Sequence, residues 1–329
     1  MTNQLHTIIR PGDAGADAPF AFAQPKGLAL GATAITAHPA GQANADELVR
    51  AAWDSGVRYY DTAPMYGGGR SEELLGEALR HYPRDAFTLS SKVGRLVRRD
   101  EPILPLESEL WRYDFSRDGI RRSVDESLTR LGTDRLDLAY IHDPDAFIRV
   151  ALTESHSALE ELRDEGVIGG IGVGITHADT LAKFIDLVDL DAVLLAGRLS
   201  LVDGEAADRV LPLAAERGVA VVIASALHAG LVDGRDSGTF HYMPTPPEIV
   251  ERVARIRVLC DRYGVPIGAA ALQFVLALPE VSMVLTGTAD AAQWAENLAW
   301  SRIPIPAELW TELDDAGLLS LPLPRALAG

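Results

Sequence analysis

Val57-Arg58-Tyr59-Tyr60-Asp61-Thr62-Ala63-Pro64-Met65-Tyr66-Gly67 carries a β-prone run straight into an acid, and a tyrosine follows five residues later among glycines. A phenol with a pKa near ~10 exchanges protons poorly at neutral pH unless its surroundings shift it. A carboxylate at a strand end can anchor the cation that makes such a shift. The stretch therefore asks for a lysine and a histidine at the ends of later strands.

Outward from it, strands and helices alternate. Apolar runs predict strands over Gly27–Leu30, Val57–Asp61, Thr88–Lys92, Leu136–Ile141, Gly169–Val173, Ala192–Leu195, Val219–Ala224 and Val281–Leu285. Val219–Ala224 is nearly continuous in apolar residues, as a parallel strand covered on both faces requires. Helical spacing marks Ala45–Ser55, Ser71–Arg80 with Ser71 as cap, Ser116–Leu131 with a capping serine, Glu154–Glu165, Ala178–Val188 and Ala206–Arg217. Further helices are expected at Pro247–Tyr263, Ile267–Leu278, Ala291–Trp300 and Ala307–Ala316. About eight strands, nearly each followed by a helix, give an α/β chain of (β/α)₈ TIM-barrel type with extra C-terminal helices. Residues 1–24 read as an irregular arm and 25–329 as a single barrel domain. A doubly wound sheet competes, but Gly31-Ala32-Thr33-Ala34 lacks the G-x-G-x-x-G fingerprint.

The net charge of −17 argues against non-specific binding to nucleic acid or to an anionic membrane. No run approaches the ~18 apolar residues of a membrane span, and Met1–Gln24 has no apolar stretch after a basic cluster, so a signal peptide is not expected there. The one cysteine, Cys260, sits in an apolar helical segment and reads as a buried core residue. A chain without a disulfide framework fits a reducing cytoplasm. A small-molecule substrate is expected, handled by a monomer or homodimer.

In a barrel the chemistry gathers at the C-terminal ends of the strands. Asp61 ends the second strand and Lys92 the third, His142 follows the fourth, and Tyr66 lies in the loop after the second. On adjacent staves these four can converge. Lys92 would favour the phenolate of Tyr66 and lower its pKa, Asp61 would hold the lysine, and His142 would orient a carbonyl or hydroxyl oxygen. That suits proton transfer coupled to hydride transfer. No metal site is expected, because His142, Asp143 and Asp61 are too few and too dispersed.

Asp61-Thr62-Ala63-Pro64-Met65-Tyr66-Gly67, Ser91-Lys92 and Tyr140-Ile141-His142 together resemble the catalytic tetrad of the aldo/keto reductase superfamily, and the resemblance covers Gly27–Leu319. Leu195–Leu201, Ala269–Phe274 and Ile305–Trp310 are similar to a branch of aldose 1-dehydrogenases acting on L-fucose or D-threo-aldoses, to which pyridoxal 4-dehydrogenase also belongs. The resemblance implies oxidation of an aldose C1 hydroxyl to a lactone. The alternatives it leaves are a pyridoxal dehydrogenase, a general NADPH-dependent aldehyde or ketone reductase, and a regulatory or redox-sensing subunit.

It further implies a nicotinamide dinucleotide lying extended, without a Rossmann fold. Gly31 and Ala32, with Asp61, would border the nicotinamide. Gly174 and Thr176 follow the fifth strand, Thr176 standing where this branch usually has an asparagine. Ala196 occupies a position often held by glutamine. Leu227, His228 and Gly230 follow the seventh strand, where Asn-Ser-Gly is usual; His228 is read as an exposed loop histidine. Gly287, Ala289, Gln293, Glu296 and Asn297 match the adenosine-binding turn and helix. Residues 287–297 hold no Lys or Arg to pair with a 2′-phosphate, so NAD is expected over NADP. Trp111, Arg112, Tyr113, Phe240, His241 and Tyr242 carry rings and polar groups suited to a sugar or pyridine, with Trp111 and His241 the leading substrate contacts beside Tyr66 and His142; the equal alternative is that these aromatics fold down to pack the loops.

Overall fold

The computed structural model describes residues 21–98, 108–233, 239–241 and 243–328. Most of the expected N-terminal arm, the loop through Pro102 and Pro105, and Tyr242 lie outside the described residues. The strands are β1 (Gly27–Gly31), β2 (Tyr59–Asp61), β3 (Thr88–Val93), β4 (Leu136–His142), β5 (Ile168–Ile175), β6 (Ala192–Ala196), β7 (Ala220–Ala224) and β8 (Val281–Gly287). They pair in parallel and close on themselves, β1 bonding both β2 and β8. Each coincides with a strand expected from sequence, to within two residues at every end.

Helices cover the outside: α1 (Gln42–Asp54), α2 (Arg70–Leu79), α3 (Arg117–Leu131), α4 (His156–Asp164), α5 (Ala178–Leu187), α6 (Val210–Arg217), α7 (Pro247–Arg262), α8 (Ile267–Leu276), α9 (Ala291–Trp300) and α10 (Ala307–Asp315). α7 and α10 pack on each other outside the ring. Ser116 caps α3, its Oγ accepting the Gly119 N–H at 3.1 Å. The helix expected from Glu154 in fact begins earlier, at Ile148, and passes through a π-turn at Ala151–Ser155 before α4. Cys260 is fully buried in α7, and burial pushes its thiol up to about 12.

Ser71 does not cap α2. Gly67, Gly68 and Gly69 all hold positive φ, so the chain folds back over the barrel mouth and Gly69 takes the cap position. Ser71 then lies inside the helix and turns inward. It accepts from Thr62 Oγ1 at 2.8 Å and donates to the Ala32 carbonyl at 2.8 Å. Its backbone N–H also holds the Tyr66 carbonyl, which ties the tyrosine loop to the helix.

Two cores result. One, between strands and helices, takes outward residues such as Leu30, Tyr60, Ile141 and Val193. The other fills the barrel with Ala29, Tyr59, Leu138, Tyr140, Leu194, Val222, Met283 and Leu285. Because side chains alternate with period two, this second set fixes which residues face inward higher up each strand. Asp61 shares the face of Tyr59, Lys92 that of Ser90, and His142 that of Tyr140. Registers convert that parity into a staircase. Asp61 lies opposite Ser90, Lys92 opposite Tyr140, and His142 opposite Gly174. Each polar residue therefore stands one inward layer above its neighbour's partner, which is the stagger of a sheared barrel.

Candidate active site

At the top of that staircase Lys92 Nζ donates to Asp61 Oδ2 at 2.5 Å and to the Thr62 carbonyl at 2.9 Å. Asp61 Oδ1 accepts from Ser90 Oγ at 2.7 Å, and Ser90 in turn reaches the Tyr59 hydroxyl. Both members of the Asp61–Lys92 pair are buried. A buried ion pair holds together only when its remaining hydrogen-bonding capacity is met, and Ser90 and Thr62 meet it here.

Tyr66 comes over from its loop, half-buried. Lys92 Nζ lies 4.8 Å from the centre of its ring, and its hydroxyl bonds Lys92 and Thr33. The sequence led us to expect a lowered phenol. Burial instead dominates and raises the Tyr66 pKa, while Lys92 pulls against it and Asp61 adds to the rise. Burial opposes the Lys92 ammonium, but Asp61 and Tyr66 outweigh it and raise its pKa. His142 stands edge-on to Tyr66, ring centres 6.1 Å apart. Burial, Arg95 and Lys92 push its pKa well below the usual imidazole value, so it is neutral at pH 7. Its Nδ1 is buried without a partner.

The four groups form one wall of a cleft of about 800 Å³ that runs from Met65 and Arg95 across the barrel mouth to α9. Of the residues expected to hold a cofactor, Gly31, Asp61, Gly174, Thr176, Ala196, Leu227 and Gly230 line it, as do Gly287, Ala289, Gln293 and Asn297. The end at α9 is well ordered by side chains. Asp290 caps the helix by accepting the Gln293 N–H, Gln293 Oε1 accepts the Ala289 N–H at 2.7 Å, and Asn44 donates to the Ala289 carbonyl. Asn297 is buried with its Oδ1 unpartnered.

Three expected contacts do not line the cleft. Ala32 starts a 3₁₀ turn and packs into the outer core, so Thr33 and Ala34 face the cleft instead. Glu296 lies on the exposed side of α9, because the helical repeat places Gln293 and Asn297 on the inner side. His228 is not exposed. Its ring is buried against Phe240, Nε2 is 2.8 Å from Ser200 Oγ, and burial pushes its pKa down to about 3. It fastens its loop from behind, with Leu227, Ala229 and Gly230 forming the cleft surface.

The aromatic candidates also sit elsewhere. His241 pairs with Asp203 at 2.7 Å and packs on Phe240, and Trp111 packs on Tyr113, all outside the cleft lining. Tyr242 lies outside the described residues. What lines the substrate end instead is Met65, Arg95 and Asp143. The sequence held a partial signal for Arg95, three residues past Lys92. Its place depends on the antiparallel ribbon Arg95–Val97 with Trp111–Tyr113, which pairs segments across an intervening loop. Among the described residues no group of three His, Cys, Asp or Glu could hold a metal ion.

Residues 27–317 match the aldo/keto reductase family. The chain belongs to that family. It is 40% identical over 290 residues to a D-threo-aldose 1-dehydrogenase of Pseudomonas sp, covering 84% of this chain and 88% of the relative. It is also 40% identical over 311 residues to a pyridoxal 4-dehydrogenase of Microbacterium luteolum, covering 86% and 90%. Among solved structures it resembles a glycerol dehydrogenase, AKR11B4, of Gluconobacter oxydans, with a TM-score of 0.72 at 25% identity, covering 90% of this chain and 93% of that one. It is an oxidoreductase of this aldo/keto reductase family. No helix among the described residues is long and apolar enough to cross a membrane.

Proposed function

We propose that this aldo/keto reductase is an NAD-dependent dehydrogenase that oxidises the C1 hydroxyl of an aldose such as L-fucose to a lactone. The observation that carries the reading is a proton-transfer cluster at one end of a long cleft whose other end holds no Lys or Arg among the described residues. Lys92 and Arg95 are the only Lys or Arg lining the cleft among the described residues, and both stand at the tyrosine end. Among the described residues a 2′-phosphate beside α9 would find no cationic partner, whereas a diol would find the polar edge of Gln293 and Asn297. The unpartnered Asn297 Oδ1 suits an exocyclic amino donor such as that of adenine. These features fit a nicotinamide dinucleotide.

Such a cofactor supplies the hydride acceptor. Tyr66 takes the C1 hydroxyl proton, Lys92 compensates the charge of its phenolate, and Asp61 holds Lys92 in place. Neutral His142 holds the substrate oxygen by a hydrogen bond, so that the C1–H bond is presented in one orientation. The identity to the D-threo-aldose 1-dehydrogenase supports the sugar, and that to the pyridoxal 4-dehydrogenase supports pyridoxal as the second reading.

Initial rates with L-fucose, D-arabinose, L-galactose, pyridoxal and a simple aldehyde, each with NAD(P)⁺ or NAD(P)H, test both. Sugar oxidation with a kcat/KM for NAD⁺ above that for NADP⁺ is expected. Turnover of pyridoxal and no sugar overturns the first reading, and a tenfold or larger preference for NADP⁺, about 1.4 kcal/mol, overturns the cofactor assignment.

A further inference from the structure

Beside the Tyr66–His142 wall, Arg95 and Asp143 form an ion pair at 2.7 Å that lines the same cleft. Neither side chain is free to swing. The Arg95 guanidinium lies over the Trp111 ring at 4.9 Å and the Tyr113 ring at 5.5 Å, and Nη1 rests on Met65 Sδ at 3.0 Å. Its Nε is buried without a partner. A thioether is a weak acceptor, so the fork keeps unspent donor capacity.

Asp143 is fixed at a cost. Its φ is +42°, although it precedes Pro144, which favours extended backbone in the preceding residue. Its N–H bonds the Gly174 carbonyl at 2.8 Å and keeps it there. Non-glycine residues persist in such conformations where the surrounding structure imposes them, and they cluster at ligand sites. The bond to Arg95 and the 3.7 Å approach to His142 Nε2 both use Oδ2. Among the described residues Oδ1 is not engaged.

A clamped guanidinium and carboxylate side by side present donors next to an acceptor with no net charge. That arrangement matches two neighbouring hydroxyl groups, one accepting and one donating, better than it matches an anion. We infer that Arg95 and Asp143 are the specificity-determining subsite for vicinal hydroxyls of the substrate, next to the carbon that Tyr66 and His142 address. The inference rests on the aldose reading above. It gives Trp111 and Tyr113 a supporting task, holding the guanidinium rather than touching the sugar.

The test measures kcat/KM of the full-length enzyme for L-fucose and its 2-deoxy and 3-deoxy analogues with NAD⁺, and for 4-nitrobenzaldehyde with NADH. The aldehyde needs the same hydride and proton steps but has no hydroxyls. Arg95→Met and Asp143→Asn should each lower kcat/KM for L-fucose by about tenfold or more, the effect of losing one charge-assisted hydrogen bond. The loss on the aldehyde should be clearly smaller than on L-fucose: both residues also face His142, but the aldehyde has no hydroxyl for them to hold. One deoxy analogue should be poor for the unaltered enzyme, and its disadvantage should shrink in the variants, because substrate and protein have lost the same contact. Should Arg95→Met not fold, the near-isosteric Asp143→Asn and the deoxy series carry the test.

Equal losses on L-fucose and the aldehyde, or no loss on either, overturn the subsite while leaving the aldose reading intact. Failure of the unaltered enzyme to oxidise any sugar overturns the aldose reading, and the subsite with it.

Discussion

Tyr66 holds its proton more tightly than a free phenol because burial outweighs the help of Lys92. The sign of the pH dependence follows. Oxidation needs the phenolate, so kcat/KM for sugar oxidation should rise with pH through the neutral and mildly alkaline range. Carbonyl reduction needs the phenol and should stay flat over the same range. His142, with its pKa well below the usual value, should add no inflection between about pH 6 and 7, where a free imidazole titrates. A rate–pH profile in both directions checks all three statements. Tyr66→Phe should cost about 10²–10⁴-fold in kcat, the usual share of general acid–base catalysis, with NADH binding by fluorescence unchanged. The four polar residues were legible because strand ends and chain order placed them. The balance between burial and charge at Tyr66 was not, since it depends on how deeply neighbouring loops cover the ring.

Element boundaries followed the apolar runs closely, and the exceptions have local causes. Ser71 looked like a cap because a serine before an acidic, leucine-rich segment usually is one. The three preceding glycines moved the start of α2 and gave that serine to Ala32 and Thr62. On β5, Gly172 faces the barrel interior, where a Cβ would lie 2.5 Å from the Tyr140 ring and 2.7 Å from the Ala192 carbonyl. Gly172→Ala should therefore destabilise the enzyme by about 1–3 kcal/mol, the range for overpacking a dense core, as read from a denaturant midpoint. A midpoint equal to that of the unaltered protein would contradict this account of the barrel packing. The ribbon carrying Arg95 escaped the sequence because its partner strand lies beyond an intervening loop, and no short-range pattern encodes such pairing.

For the molecule as a whole, the alternation of about eight strands and helices, together with the missing dinucleotide fingerprint at Gly31-Ala32-Thr33-Ala34, decided for the closed barrel over a doubly wound sheet. Which ligand fills the mouth depends on side chains from distant parts of the sequence, and that is where several expected contacts moved behind or beside the cleft. Linkage gives a global measure of cofactor choice. A ligand present at a hundredfold excess over its Kd stabilises the fold by about 2.7 kcal/mol. NAD⁺ should raise Tm measurably in scanning calorimetry, and NADP⁺ at equal concentration should raise it less.

The hydrogen-bonded floor beneath the tetrad has one more consequence. Tyr59 and Tyr140 share a hydrogen bond at 3.0 Å, are fully buried, and have pKa values raised by burial. Both phenols therefore stay protonated around neutral pH, and the floor offers Tyr66 no phenolate to take its proton. The groups that the Tyr66 hydroxyl bonds, Lys92 and Thr33, both line the cleft, so its hydrogen-bonding neighbours lie on the ligand's side of that floor.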